Sequence, residues 1–232
     1  MAQLTLYQFA VSPFCDKVRR ILAYKNIPFE VYEWPLAEVP RIAEVNPTGK
    51  LPFIEWDGEI IGDSTDIALA VEARVPSPPL LPADPTQRAL VLALEDWADE
   101  SLYFYEMCLR FGDEDFDRNF PKVAGTLPPD VQTMMAPMLR ENFKQVTATQ
   151  GVGRKPKEQL ARDVERLFAT IEALQQPTGF VVGDKLTLAD IAIVCQAECI
   201  TDSRLGAETL SRHPALRDYF ARVDALTHAQ RV

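Results

Sequence analysis

The sequence predicts an α/β domain followed by an all-α domain, and three observations carry this prediction. Short strand-like and helix-like segments alternate over the first 75 residues. A proline-rich stretch follows, with four prolines between positions 76 and 82 and a fifth at 85. Beyond it, strand signals vanish and long helical patterns continue. We therefore expect two domains, residues 1–75 and 86–232, joined by a stiff linker at 76–85.

The elements of the first domain follow the order βαβαββα. Strand-like runs cover 4–9, 29–33, 51–56 and 59–61, and helical patterns cover 13–25, 38–44 and 63–74. Asp57-Gly58 lies between two short apolar runs, which is a strong signal of a hairpin turn. Asp63 or Ser64 can cap the last helix, because their side-chain oxygens accept hydrogen bonds from its first N–H groups.

The second domain is predicted to be all helical. Its helical patterns cover 86–111, 129–149, 156–175, 187–203 and 212–227. Thr187 and Asp190 form a capping box with aspartate in the place of glutamate, ahead of an apolar run. The helix that they begin should therefore run through the core.

The bulk composition favours a protein that acts on small molecules. Of 232 residues, 47% are hydrophobic and 25% are charged, which is ordinary for a globular protein. The formal net charge of −10 argues against a nucleic-acid-binding or anionic-membrane surface. No stretch approaches the roughly 20 apolar residues of a membrane span, and the first residues lack the pattern of a signal peptide. We expect a cytoplasmic protein with no nucleic-acid partner and no membrane span.

The cysteines and histidines predict neither a disulfide framework nor a metal site. The four cysteines are few and widely spaced, at Cys15, Cys108, Cys195 and Cys199. The two histidines lie near the C-terminus and form no cluster with the cysteines at metal-ligand spacing. We expect reduced thiols and no metal.

The segment Ser12-Pro13-Phe14-Cys15 is the first functional candidate. It follows the first strand, and Pro13 suits the first turn of a helix, so Ser12 is interpreted as the N-cap. Free N–H groups and the helix dipole stabilise negative charge at such a point, and thiol pKa values there can fall to roughly 3.5–7.5. Ser12 and Cys15 are therefore placed where an anion or a thiolate is favoured.

Several motifs in this order resemble those of the glutathione transferases. They are Ser-Pro-Phe-Cys at 12–15, Leu51-Pro52, Asp63-Ser64, the connector at 80–85 and the stretch Gly183 to Ile191. The resemblance extends over the whole chain. It implies a thioredoxin-like first domain with a mixed sheet, a helical-bundle second domain, glutathione as cosubstrate, a hydrophobic electrophile as second substrate, and a homodimer. The turn at 150–154 also resembles that of the metaxin and failed-axon-connections branch, which is not firmly catalytic.

The resemblance also implies the roles of single residues. Ser12 matches the hydroxyl that donates to the sulfur of glutathione, and Phe14 lies in the same binding segment. Leu51-Pro52 would be the cis-proline bend that pairs with the cysteinyl part. The γ-glutamyl end would be held by Asp63 and Ser64. Lys50 would attract the glycyl carboxylate.

Other interpretations of these residues stay open. Ser12 can be a helix cap alone, worth around 1 kcal/mol. Cys15 can be a buried packing residue or the nucleophile of a glutathione-dependent thiol transferase or disulfide reductase. Tyr103 and Tyr105 are candidates for the substrate pocket, although aromatic residues at helical spacing more often pack in a core. A non-catalytic glutathione-binding or scaffold protein is the third functional hypothesis, beside conjugation and thiol transfer.

Overall fold

The computed structural model describes residues 4–125, 127–175 and 177–228. Its strands are β1 (Leu4–Gln8), β2 (Glu30–Glu33), β3 (Phe53–Trp56) and β4 (Glu59–Gly62). Its helices are α1 (Pro13–Tyr24), α2 (Ile42–Val45), α3 (Ser64–Arg74), α4 (Pro85–Trp97), α5 (Tyr103–Arg110), α6 (Phe116–Ala124), α7 (Pro129–Gln150), α8 (Lys157–Leu174), α9 (Leu188–Thr201), α10 (Arg204–Leu210) and α11 (Pro214–Thr227).

The four strands form one mixed sheet in the order β2-β1-β3-β4. β1 runs parallel to β2 and antiparallel to β3, which pairs antiparallel with β4 across the Asp57-Gly58 turn. Leu4 and Leu6 are buried whereas Thr5 and Tyr7 are half-buried, as the alternation of side chains in a strand requires. The predicted fold class, a mixed α/β domain followed by a helical domain, is confirmed.

The predicted helix at 38–44 is replaced by a tighter structure. A 3₁₀ turn covers Leu36–Arg41, and only the four residues of α2 follow it as an α-helix. Pro40 lies inside this segment and has no N–H to donate, so a regular α-helix cannot pass through it.

The predicted helix at 86–111 is divided in two. A wide π-helical turn at Ala98–Leu102 separates α4 from α5. Two further short helices, α6 and α10, have no counterpart in the sequence prediction. α6 contains Pro121 and α10 contains Gly206, two residue types that weaken the sequence signal of a helix.

The central helix of the second domain is α9, which is buried along most of its length. Asp190 in its first turn accepts hydrogen bonds from the N–H groups of Thr187 and Val181 and from the hydroxyl of Tyr219. α1 packs against α9, so residues of both domains share one apolar core. The sequence prediction of a capped helix through the core is confirmed.

Candidate functional site

Three segments meet at one end of the sheet. Tyr7, near the end of β1, lies opposite Phe53 at the start of β3, and Phe53 lies opposite Gly62 at the end of β4. The loop after β1, the residues before β3 and the residues after β4 therefore emerge side by side. These are the segments that carry Ser12, Leu51-Pro52 and Asp63-Ser64.

Ser12 is the N-cap of α1, as the sequence predicts. Its backbone N–H donates to the carbonyl of Phe9 at 3.0 Å, and its hydroxyl oxygen accepts from the N–H of Cys15 at 3.4 Å. The side chain is half-buried, and Pro13 occupies the first helical position. The hydroxyl hydrogen is not used in the capping bond, because the oxygen is the acceptor there. Ser12 can therefore cap its helix and still donate to an anion.

Cys15 lies one turn further on and is fully buried. Burial raises the pKa of its thiol to about 11, although hydrogen bonds with Ser12 and Phe9 act in the opposite direction. The helix N-terminus thus does not produce a thiolate here, because the cost of removing the charge from water is larger. A thiol in this state is a poor nucleophile at neutral pH.

The peptide bond between Leu51 and Pro52 is cis, and Pro52 is buried. The turn before it is held by Asn46, whose side-chain amide donates to the carbonyl of Lys50 at 2.8 Å. A Cβ atom at Gly62 would lie 2.4 Å from Asn46 Oδ1, so only glycine admits this turn against the end of β4. The side chain of Lys50 is exposed beside this turn.

Asp63 and Ser64 begin α3. Asp63 is the N-cap and accepts from the N–H groups of Thr65 and Asp66 at 2.8 and 3.4 Å. Its φ of 69° lies in the left-handed region, which costs free energy for a residue with a side chain. Ser64 is 4% exposed and occupies the first helical position. The strained backbone directs the positive end of α3 to the same end of the sheet as Ser12.

A buried ion cluster lies directly behind this helix end, and the sequence prediction missed it. Lys17 of α1 binds Glu95 and Asp99, and it also donates to the hydroxyl of Thr65 at 3.3 Å. Thr65 in turn donates to Glu95 at 2.6 Å. Burial raises the pKa of Asp99 to about 6, although Lys17 lowers it. We name these four residues the Lys17 cluster; it joins α1, α3 and the helical domain next to Ser64.

The aromatic candidates take different positions. Phe14 packs against Tyr103 with ring centroids 4.8 Å apart, so Tyr103 lies beside the Ser12 segment. The hydroxyl of Tyr105 donates to Asp163 at 2.9 Å and lies 2.6 Å from the ammonium group of Lys155. The structure therefore brings Tyr103, but not the hydroxyl of Tyr105, to the Ser12 segment.

Arg110 ties the loop before Ser12 to the helical domain. Its guanidinium donates to the carbonyl of Val11 at 3.0 Å and to the carboxylate of Glu106 at 2.9 Å, and it pairs with Asp202 at 3.1 Å. A small cavity of about 100 Å³ lies beside Ser12 and Arg110. Val11 lies 99 positions from Arg110 along the chain, so the sequence gives no sign of this contact.

Within the ranges that the structure describes, no group of three or more His, Cys, Asp or Glu side chains could hold a metal ion. None of the helices in those ranges is long and apolar enough to span a bilayer.

The sheet order, the serine-capped first helix and the cis-proline define a thioredoxin-like domain joined to a helical domain. Two family models match the chain: "Glutathione S-transferase, N-terminal domain" over residues 6–79 and "Glutathione S-transferase, C-terminal domain" over 132–226. The chain belongs to the glutathione S-transferase superfamily.

The curated relatives match only part of the chain. A Pseudomonas putida glutathione S-transferase is 33% identical over 91 residues, which are 39% of this chain and 41% of that protein. A chloroplastic glutathione S-transferase of Arabidopsis thaliana is 35% identical over 34% of this chain and 30% of its own length. A probable maleylacetoacetate isomerase of Caenorhabditis elegans is 35% identical over 38% of this chain and 43% of its own length. The chain thus spans less than half the length of each of these relatives.

The similarity to solved structures covers nearly the whole chain. A glutathione S-transferase from Rhodospirillum rubrum has a TM-score of 0.65 at 21% identity, over 96% of this chain and 88% of that one. FzlA from C. crescentus has a TM-score of 0.67 at 21% identity, over the same shares. A rice transferase solved with glutathione has a TM-score of 0.65 at 21% identity, over 98% of this chain and 90% of that one. At these identities the likeness shows the fold.

Proposed function

We propose that this protein generates the thiolate of glutathione beside Ser12 and transfers it to a small hydrophobic electrophile. The observation that carries the proposal is the meeting of two helix N-termini and a cis-proline turn at one end of the sheet. Each helix end offers N–H donors and a positive dipole to an anion. Glutathione carries carboxylates at both ends and a thiol between them, which suits this arrangement.

The peptide would bind along these three segments. The γ-glutamyl carboxylate fits the N-terminus of α3 with Ser64, and its amino group fits Asp63. The backbone of Leu51 would pair with the cysteinyl part, and Lys50 would attract the glycyl carboxylate. The Lys17 cluster supports this site from behind, because Thr65 follows Ser64 directly.

The sulfur would then lie against Ser12 and Phe14. A hydroxyl donor and a helix dipole favour the thiolate, and lowering the thiol pKa by about two units is worth roughly 2.7 kcal/mol. The thiolate attacks the electrophilic carbon directly and expels a halide or adds to an activated double bond, without a protein-bound covalent intermediate. We place the electrophile near Tyr103, because this ring packs on Phe14. Tyr105 is left out of this site, because its hydroxyl is bound to Asp163 and Lys155.

A second candidate reaction uses the same thiolate. Relatives named maleylacetoacetate isomerase, from a nematode, a fly and a rat, match 37–39% of the chain at 33–35% identity. Addition of the thiolate to an activated double bond, rotation about the resulting single bond and loss of the thiolate would isomerise such a substrate and regenerate glutathione. Conjugation and isomerisation therefore differ in the fate of the adduct.

The experiment is a calorimetric titration with glutathione, in which the pKa of the bound thiol is followed by thiolate absorbance. Turnover is then measured with an aryl halide, an activated alkene, maleylacetoacetate and a disulfide. We expect binding, a lowered thiol pKa and turnover of at least one of the first three. Disulfide reduction that depends on Cys15 would support a thiol transferase instead, and binding without turnover would support a scaffold. No binding at millimolar glutathione would overturn the proposal.

We also propose a homodimer, from the resemblance to the family, and light scattering at micromolar concentration tests it. A role in detoxification and a cytoplasmic location stay predictions.

A further inference from the structure

We propose that a cavity in the helical domain is a second ligand site, separate from the glutathione site, for a small neutral aromatic molecule. The cavity lies between α5, α7 and α8 and has a volume of about 490 Å³. Ligand pockets in proteins typically enclose roughly 300–1,000 Å³, so this space suits a small organic molecule. We name it the helical-domain cavity.

The helical-domain cavity does not open onto the small cavity beside Ser12. The two share no lining residue, and α5 lies between them. Arg110 lines the cavity beside Ser12, whereas the next residue, Phe111, lines the helical-domain cavity. The guanidinium of Arg110 lies over the Phe111 ring, 5.2 Å from its centroid, and separates the two spaces.

The walls of the helical-domain cavity suit an aromatic body. Phe111 and Phe143 are stacked with ring centroids 4.4 Å apart, and Met107 and Leu160 also line the space. Flat rings and a flexible thioether give many dispersion contacts to a planar guest. An apolar lining with a few polar groups is the usual composition of a small-molecule site.

The cations around the cavity are already paired within the chain. Each of the three lysines that line it lies against a carboxylate, namely Lys144 with Asp113 at 2.8 Å, Lys155 with Asp163 at 2.6 Å and Lys157 with Glu114 at 2.7 Å. An anionic ligand would have to compete with these carboxylates. The charges therefore favour a neutral ligand.

Asp115 lies in the acidic wall of the cavity and is 4% exposed. Its Oδ2 accepts from the N–H of Arg204 at 3.1 Å. Guanidinium nitrogens of Arg204 and Arg118 lie 3.7 and 3.8 Å from its Oδ1, which is itself buried. The charge of Asp115 thus lies beside cations of the chain, which again favours a neutral ligand.

The shape of the cavity is fixed by its surroundings. Gly153 follows α7 in a tight turn, and a Cβ atom there would lie 2.6 Å from Thr147 Oγ1 and 2.9 Å from the backbone nitrogen of Ala148. The turn therefore packs directly against α7 and fixes the distance between α7 and α8. The acidic segment 112–115, which the proposed glutathione site does not use, forms the opposite wall.

The test uses N-phenyl-1-naphthylamine, a neutral fluorophore with two aromatic units and one N–H. We expect saturable binding to the full chain, and we expect it to persist when S-hexylglutathione occupies the glutathione site. Ala148→Trp fills the cavity and should weaken binding by about tenfold or more, whereas Thr149→Trp, at the exposed neighbouring position, should leave it unchanged. 8-Anilinonaphthalene-1-sulfonate, which has the same rings and an added sulfonate, should bind about tenfold more weakly, because the lysines that line the cavity are already paired.

A second measurement needs no variant. Cys108 is half-buried and lines the helical-domain cavity, whereas Cys199 lines the cavity beside Ser12. The bound fluorophore should slow alkylation of Cys108 and not of Cys199. Four results would each overturn the proposal: no binding, displacement by S-hexylglutathione, equal loss in both tryptophan variants, or equal affinity of the two aromatic compounds. None of these depends on whether glutathione is turned over.

Discussion

Ser12 combines two roles that can be separated by experiment. As an N-cap its oxygen accepts a hydrogen bond, and as a proposed activating group its hydrogen is donated to sulfur. We expect Ser12→Ala to raise the pKa of bound glutathione and to slow conjugation by about 10- to 100-fold, the worth of a hydrogen bond to a charged group. The measurements are the thiolate absorbance against pH and the rate with an aryl halide.

The control is Ser203→Ala. Ser203 is also a serine N-cap, for α10, and its oxygen accepts from the N–H of Gly206 at 2.9 Å. Both variants should lose around 1 kcal/mol of stability, because both lose a helix cap. Equal slowing of conjugation in the two variants would show that Ser12 acts through the helix alone.

Cys15 is the residue for which the structure separates two hypotheses most clearly. Its thiol is fully buried and its pKa is raised to about 11, so we expect Cys15→Ala to keep the transferase rate within about twofold. The variant should lose about 1 kcal/mol of unfolding free energy from lost packing. Rates with an electrophile and with a disulfide, beside a urea titration, check both expectations. A specific loss of disulfide reduction would restore the thiol transferase hypothesis.

At the scale of elements, the Lys17 cluster links the helix that carries Ser12 to the helix that carries Ser64. Lys17 belongs to α1, Thr65 to α3 and Glu95 to α4, so one buried ammonium group fixes three helices relative to one another. A buried cation with two carboxylates resists displacement, because removal of any member leaves a charge without compensation.

Asp99 gives this cluster a defined pH dependence. Its pKa is about 6 in the folded chain against an ordinary 3.8, so between these values the folded state holds a proton that the unfolded chain has lost. The unfolding free energy of the wild type should therefore fall, relative to that of Asp99→Asn, as the pH rises from about 4 to about 7, by up to roughly 3 kcal/mol.

Urea titrations across this range measure the difference. Asp96→Asn, at an exposed position in the last turn of α4, controls for the loss of one aspartate. A difference between wild type and Asp99→Asn that stays constant with pH would contradict the assigned titration.

The elements also show which parts of the structure can be predicted from the sequence. The strands, α1 and α3 were predictable, because an apolar alternation, Asp-Gly, Ser-Pro and Asp-Ser are local signals. The π-helical turn and the Lys17 cluster were not predictable. Lys17 is a charged residue in a helical pattern, and such a residue indicates a solvent-exposed face unless its partners are known. Lys17 meets Glu95 78 positions away, and only tertiary packing brings the two together. The interpretation of Cys15 had the same limit, since its burial depends on packing that its four-residue motif does not encode.

At the scale of the whole molecule, the two domains share a core and a buried ion pair. Arg20 of α1 is 2% exposed and binds Asp16, Glu198 of α9 and Asp224 of α11. Two of these carboxylates belong to the helical domain. Because the contact between the domains is apolar and also carries this buried charge, we expect the chain to unfold as one cooperative unit.

Arg20→Met tests this coupling. It removes a cation shared by three carboxylates, and such a loss in a buried network costs about 3–5 kcal/mol. Arg19→Met is the control. Among the described residues Arg19 pairs with one carboxylate, that of Asp16, and it also donates to Gln8 and to the carbonyl of Ala10. Because Arg19 is more exposed than Arg20, its loss should cost less, about 1–2 kcal/mol. In the wild type, the urea transitions seen by tryptophan fluorescence and by far-ultraviolet circular dichroism should coincide. Two of the three tryptophans, Trp34 and Trp56, report on the α/β domain and Trp97 reports on the helical domain, which also contains most of the helix. Separate transitions in the wild type, or equal losses in the two variants, would mean that the domains are stabilised independently and that Arg20 does not couple them.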